Sequence, residues 1–311
     1  MTRHRLREAI RQYAILAILA VQVVVLSWAT PAFLSVQNAV NVLDQVAPVG
    51  ILACAATIAI ISGVFDLSMS SVMAVSGITA VLISNQLGTP LGWLGGVVVG
   101  VILGAVNGVV CHRGRLNSFI ATLSTSMIFR GLAIMLTGGV IAKATADGFG
   151  VLGRPIGPLT GAAWLFLLVA ACAAVVLART GYGRMVYAVG GNAEAARLAG
   201  IRIGMVRITA FMISGGLSAL AGLIYASRTQ SASPSMALGL ELTAIASTVL
   251  GGTSILGGQG AIWRGMIGAV ILILIGNGMN LLAVDTTFQL AVQGLLILTA
   301  ISVDQALREE D

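Results

Sequence analysis

Apolar residues run along this chain in blocks, separated by short polar intervals. A block of roughly twenty apolar residues closes its own backbone hydrogen bonds as a helix and spans the hydrocarbon core of a bilayer. The pattern predicts spans at 13–34, 43–64, 67–86, 91–111, 118–138, 161–178, 207–227, 238–253, 262–283 and 287–304. The expected fold is an all-α polytopic membrane protein of about ten transmembrane helices, some broken or re-entrant. A basic head at 1–12 precedes a single membrane domain over 13–304, and a short tail at 305–311 follows. In the head, Leu6, Ile10 and Tyr13 recur at helical spacing among Arg3, Arg5, Arg7 and Arg11, which suits an interfacial helix. Ser27-Trp28-Ala29 would serve as a cleavage site, but the apolar run before it is long for a signal peptide, so an uncleaved first span is expected.

The longest polar interval is 179–207, which carries Arg179, Arg184, Arg197, Arg202 and Arg207 against one acid, Glu194. Asn192 is placed to cap a helix N-terminus, Ala193 to Leu198 favour helix, and Glu194 falls in the first turn, where the dipole favours an anion. Gly200 stands where a helix end wants positive φ. The stretch therefore predicts one short capped helix between two flexible glycine segments at a membrane surface. The residues alone leave two readings open: a basic surface loop with no further task, or a docking element.

Composition sharpens the class. The chain has 311 residues, of which 58% are hydrophobic and 9% charged, with mean hydropathy +1.00. Soluble domains carry about 25% charge, so membrane lipid must cover much of this surface. The net charge of +6 orients the chain rather than recruiting nucleic acid. With the N-terminus inside and the spans alternating, Arg3, Arg5, Arg7, Arg11, Arg113, Arg115, the five arginines of 179–207, Arg264 and Arg308 lie inside. Only Lys143, Arg154 and Arg228 lie outside, and Arg130 falls within a span. The 179–207 loop is thus expected in the cytoplasm. The segments 139–160 and 228–240 are expected to form much of the outer face, the first irregular or partly re-entrant. Cys54, Cys111 and Cys172 lie far apart in or beside apolar runs, and Cys111-His112 has no second cluster, so neither a disulfide framework nor a metal site is expected.

Several polar positions interrupt the spans. Asp66 reads either as the N-cap of a new helix or as an intramembrane functional carboxylate, with Ser68 beside it. In 251–260 two glycine pairs flank Thr253 and Ser254, a break of the kind that lines solute paths. It lacks the Gly-Lys-Ser/Thr ending of a phosphate-binding loop, so this chain is not expected to bind nucleotide. Gly96, Gly100, Gly104 and Gly108 form a small-residue stripe for close helix contact. Asn107, Asn277, Asn280 and Gln293 either join helices or line a polar path. No catalytic serine–histidine, aspartate pair or HExxH set falls in the spans, so catalytic residues are not expected. An ion-coupled secondary transporter of a small polar solute is the alternative class, with Asp66 and Glu241 as its protonatable groups.

The motif G-N-x-E-A-A-R-x-A-G at 191–200 resembles the coupling loop of the ribose-type, branched-chain-like sugar permeases of ABC importers. G-V-F-D-L-S-M-S-S at 63–71 is similar to another element of that family, with Val64 and Ser71 or its neighbours departing from the usual glycines. Further likeness lies in 119–133, in 183–192, in E-L-T-A-I-A-S-T-V-L-G-G-T-S-I-L-G-G-Q-G at 241–260 and in G-N-G-M-N-L-L at 276–282. The resemblance implies a bacterial inner-membrane permease paired with a second permease subunit, identical or not. It implies cytoplasmic ATPase subunits that bind ATP and Mg, and a periplasmic sugar-binding protein delivering a pentose, hexose or related furanose. Gly191, Asn192, Glu194, Ala195, Ala196, Arg197 and Gly200 would couple to the ATPase. Asp66, Ser68, Asn107, Thr253, Ser254, Asn277 and Asn280 are the candidates for the path or its gate.

Overall fold

The structure, a computed structural model, describes residues 3–285 together with 288, 289, 291, 292, 294, 295 and 298, and for 3–14 the backbone alone. Among the described residues seven helices are long and apolar enough to cross a membrane. They are α2 (Val36–Ile61), α3 (Met69–Leu87), α4 (Thr89–Arg113), α5 (Ser118–Thr137), α6 (Gly161–Arg179), α9 (Ile203–Thr229) and α11 (Ile262–Leu281). The expected first span is helical as α1 (Arg3–Ala29), and among the residues whose side chains are described Ile15–Ala29 is its apolar part. The expected span at 238–253 shortens to α10 (Leu240–Leu250), because Gly251 and Gly252 stop the helix. The expected span at 287–304, with Gln293, and the tail at 305–311 lie outside the described residues save for the scattered positions named above. Two short helices, α7 (Gly181–Gly191) and α8 (Ala193–Leu198), fill the polar interval.

Starts and stops follow local chemistry. The Ser35 side chain accepts from the Asn38 amide at the head of α2, and Thr160 accepts from Ala163 at the head of α6. Gly138 ends α5 in the left-handed conformation. Helix α2 is almost wholly buried and packs against α9, α11, α10 and α6. Its Pro48 removes one helical hydrogen bond inside this shell.

The tightest layer is α3, α4 and α9. A Cβ on Gly104 would overlap the Phe211 carbonyl oxygen, and one on Gly100 would stand 2.5 Å from the Ala219 Cβ. The expected glycine stripe is thus a packing face, which lets α4 and α9 touch backbone to backbone. The opposite face of α4 exposes Leu94, Val98, Ile102 and Val106, the lipid-facing counterpart of that stripe.

One end of the bundle is closed by a cap. Strand β1 (Ala142–Lys143) pairs antiparallel with β4 (Ser231–Ala232), which joins 139–160 to 228–240 as one surface. A second pair, β2 (Pro155–Ile156) with β3 (Leu159–Thr160), leads into α6. Phe149 and Leu152 are buried beneath the cap, with the Phe149 ring edge-on to Trp93. The Asn85 side chain at the end of α3 donates to the Lys143 carbonyl and accepts from the Thr145 amide, each at 2.8 Å. Helices α7 and α8 lie at the opposite end.

Candidate coupling and translocation sites

The short capped helix forms as the sequence predicts. The Asn192 side chain accepts from the Ala195 amide at 2.9 Å, Glu194 lies in the first turn, and Gly200 has φ +84°. The glycine-rich stretch before it is a correction to the expected flexible segment. Residues 181–191 form α7, capped by Thr180 accepting from the Gly183 amide, because Val186 and Val189 are buried against the bundle. Burial of those two side chains outweighs the weak helix propensity of the glycines.

Glu194 and Arg197 form a forked pair, with Nε donating to Oε2 at 3.0 Å and Nη2 to Oε1 at 2.5 Å. Both side chains are well exposed, at 67% and 61%. The shared hydrogen bonds hold the Glu194 carboxyl below its ordinary range and raise the Arg197 guanidinium. Of the two alanines, Ala196 is buried against its own chain and Ala195 faces out. Leu198, which the sequence reading passed over, is 75% exposed beside the ion pair. Its position four residues after Glu194, on the same helical face, was the available signal.

Helix α8 hangs from a glycine joint. A Cβ on Gly190 would overlap the Ile61 carbonyl oxygen and stand 2.6 Å from the Gly258 nitrogen. Gly258, at φ +71°, donates its amide to Ile61 at 2.9 Å, and a Cβ there would stand 2.5 Å from the Gly191 Cα. Tyr187 of α7 donates its hydroxyl to the Gly260 carbonyl at 2.8 Å. The end of α7, the end of α2 and the 251–260 link therefore meet through backbone atoms, with no side chain between them to absorb displacement.

The predicted polar positions fall into separate places. Asp66 is buried, and one carboxylate oxygen accepts from the Ser68 amide at 2.9 Å and from its hydroxyl at 2.6 Å. The other accepts from Ser214 of α9 at 2.6 Å. Asn107 of α4 donates to Ser68 at 2.6 Å, so Asp66, Ser68 and Asn107 form one cluster tying α3, α4 and α9. The N-cap residue of α3 is Ser68 rather than Asp66, which sits two positions earlier and bonds the Ser68 amide in a local turn. Thr253 and Ser254 are buried in the link next to the glycine joint, away from that cluster. Asn277 exchanges two hydrogen bonds with Asn38, at 2.8 and 3.2 Å, which fastens α11 to α2. Asn280 is exposed and accepts from Gln289 at 2.8 Å.

Two further clusters carry charge. Asp44 of α2 accepts from the Thr160 hydroxyl, and Arg228 donates to the Asp44 carbonyl at 2.7 Å, beneath the cap. Arg130 of α5 donates to the Pro234 and Met236 carbonyls and, at 3.0 Å, to the Ser70 hydroxyl. The lone arginine of a predicted span thus fixes the backbone of the 228–240 segment.

A family model described as "Branched-chain amino acid transport system / permease component" matches residues 38–301. The chain is 37% identical to the ribose import permease protein of Escherichia coli over 300 residues, covering 94% of this chain and 93% of that one. It is 38% identical to the ribose import permease protein of Bacillus subtilis, covering 92% and 90%. It is 36% identical to the L-arabinose transport system permease protein of Escherichia coli, covering 94% and 90%. No solved structure matches. Extended coverage and seven apolar helices make it a multi-pass protein of the bacterial inner membrane and a transport component rather than an enzyme. The chain belongs to the permease-component family of branched-chain-type ABC transport systems.

Proposed function

We propose that this chain is the transmembrane subunit of an ATP-driven sugar importer, with its N-terminus and α8 in the cytoplasm. Relatives named for ribose import and L-arabinose transport support a pentose or a related sugar as cargo. The excess of arginines in the segments expected on the N-terminal side of the membrane supports the orientation. In this reading an ATPase binding ATP and Mg receives α8, with Glu194, Arg197, Ala195 and Leu198 on the docking face. Gly191, Asn192 and Gly200 set the angle of that face, and buried Ala196 seats it on the permease. A periplasmic binding protein delivers sugar to the cap built from 139–160 and 228–240, and a second permease subunit completes the path.

The observation that carries the proposal is the exposed, capped α8 attached to a joint of backbone contacts. Movement of α8 is passed through Gly190 and Gly258 to the end of α2 and to the link between α10 and α11. A rigid-body switch needs such a stiff connection between the element that senses nucleotide and the helices that move. The polar groups at Asp66, Ser68 and Asn107, at Thr253 and Ser254, at Asn277 with Asn38, and at exposed Asn280 then act at separate places in the bundle.

The test is uptake into proteoliposomes holding the chain with its ATPase, supplied with binding protein loaded with each of a panel of pentoses and hexoses. ATP-dependent uptake of one sugar class supports the proposal. Uptake that follows an imposed proton or sodium gradient without ATP contradicts it and favours the ion-coupled class.

A further inference from the structure

A cavity of about 500 Å³ opens at the end of the bundle that carries α8, beside the glycine joint, with Gly63 lying between the two. It lies between the turn after α2, the end of α4 and the starts of α5 and α9, and its floor includes Val64 and Phe211. Arg115, Arg207 and His112 line it, and no acidic side chain does. The nearest buried acid, Asp66, has both oxygens engaged by Ser68 and Ser214. Arg207 spends its Nε on a long 3.4 Å bond to the Ser62 carbonyl, and its two Nη groups carry no hydrogen bond to described residues. Arg115 is held at φ +50°, a conformation unusual for a non-glycine residue.

One backbone feature adds to the positive field. Ile203 and Gly204 at the start of α9 line the cavity, and Arg202 at its N-cap makes no side-chain capping bond. The start of that helix, with no side-chain cap, thus borders the same space, where a helix dipole favours an anion. The His112 ring lies directly against Gly204, where any Cβ would collide with it, so the imidazole is packed into the wall. Apolar Val64, Leu116 and Phe211 complete one side. A cavity with two guanidinium groups, an open helix start and an apolar wall at a membrane edge suits a phosphate group attached to an apolar body.

We propose that this cavity binds a phosphate monoester or diester anion, either the headgroup of an anionic phospholipid or a free phosphate. The phosphate would sit between Arg115 and Arg207, and acyl chains, when present, would leave along Leu116. Its placement in the cytoplasmic leaflet rests on the orientation proposed above; the phosphate chemistry does not.

The full chain, incorporated in nanodiscs of phosphatidylcholine with a minor fraction of phosphatidylglycerol, is released and analysed for retained lipid by native mass spectrometry. In parallel, inorganic phosphate is titrated onto the chain in phosphatidylcholine alone. Retained phosphatidylglycerol that falls roughly fivefold in Arg115→Gln, and more than about tenfold when Arg207→Gln is added, identifies a lipid headgroup site. The same losses seen only with inorganic phosphate identify a free-phosphate site. Arg113→Gln, whose side chain lies outside the cavity lining, serves as the charge control and should bind as the parent does. Arg115 is exposed, so the single variant carries the test if the double variant fails to insert. Equal binding of both probes by parent and Arg115→Gln, or binding of neither probe by the parent, overturns the proposal. Neither readout depends on ATP or sugar, so failure here leaves the transport assignment standing.

Discussion

Gly258 and Ile61 meet through their backbones: the Gly258 amide donates to the Ile61 carbonyl at 2.9 Å, while Gly190 closes on the same carbonyl oxygen from α7. The 251–260 break and the root of α8 are therefore one structural unit. A side chain at Gly190 must push two backbone segments apart.

Gly190→Ala is expected to lower stability by about 1–3 kcal/mol, an overpacking cost, and to weaken ATP-driven uptake by more than about tenfold. Gly131→Ala, inside α5 where nothing stands within 4 Å of the added Cβ, should leave uptake unchanged and should not lower stability. Thermal unfolding in detergent together with proteoliposome uptake checks this. Equal behaviour of the two variants would remove the joint from the coupling route.

Glu194→Lys opens the forked pair and places like charges three residues apart. Because the pair is exposed, the unfolding midpoint should barely move, while ATP-driven uptake is lost. Arg197 holds the Glu194 carboxyl below its ordinary range, so the carboxylate stays ionised above that range and is neutralised only as pH falls through its lowered value. Coupling through this pair should therefore be flat between about pH 6 and pH 8. Retained uptake in Glu194→Lys would sink the docking role of α8.

Much of this was legible in the sequence, and the limits were physical. Asn192 and Gly200 announce their cap positions through local chemistry, so α8 was placed to the residue. Helix α7 was missed because the burial of Val186 and Val189 is a tertiary fact that overrides glycine propensity. The stripe Gly96 to Gly108 declared a packing face, but not that Phe211 and Ala219 occupy it. Asp66 looked alike as a cap or a functional acid until Ser214, distant in sequence, was seen to bond its second oxygen. The joint of Gly190 with Ile61 leaves no trace in either local segment.

Asp66→Ala strands three buried donors, the Ser68 amide and the hydroxyls of Ser68 and Ser214. It should cost about 2–4 kcal/mol, whereas Asp66→Asn keeps one acceptor oxygen for Ser68, can donate its amide to a reoriented Ser214 hydroxyl, and should cost about 1 kcal/mol. Chemical unfolding of the two variants measures the difference. If Asp66→Asn instead keeps full stability and abolishes uptake, Asp66 acts on the solute or an ion rather than on the fold.

Asn38 and Asn277 exchange two hydrogen bonds across α2 and α11. Single alanine variants should each destabilise by about 1 kcal/mol, and a double-mutant cycle should return a coupling of about 0.5–1.5 kcal/mol. A coupling near zero would mean that these amides act independently, as they would if they faced a solute path.

The most direct measurement is ATP hydrolysis by the full complex in liposomes, with and without sugar-loaded binding protein, for the parent chain and for Gly190→Ala. The parent should show hydrolysis stimulated by loaded binding protein and matched by uptake. Gly190→Ala should keep the ATPase bound and hydrolysing while stimulation and uptake fall together. Full stimulation and uptake through a disrupted joint, or uptake in the parent without any hydrolysis, would contradict the account.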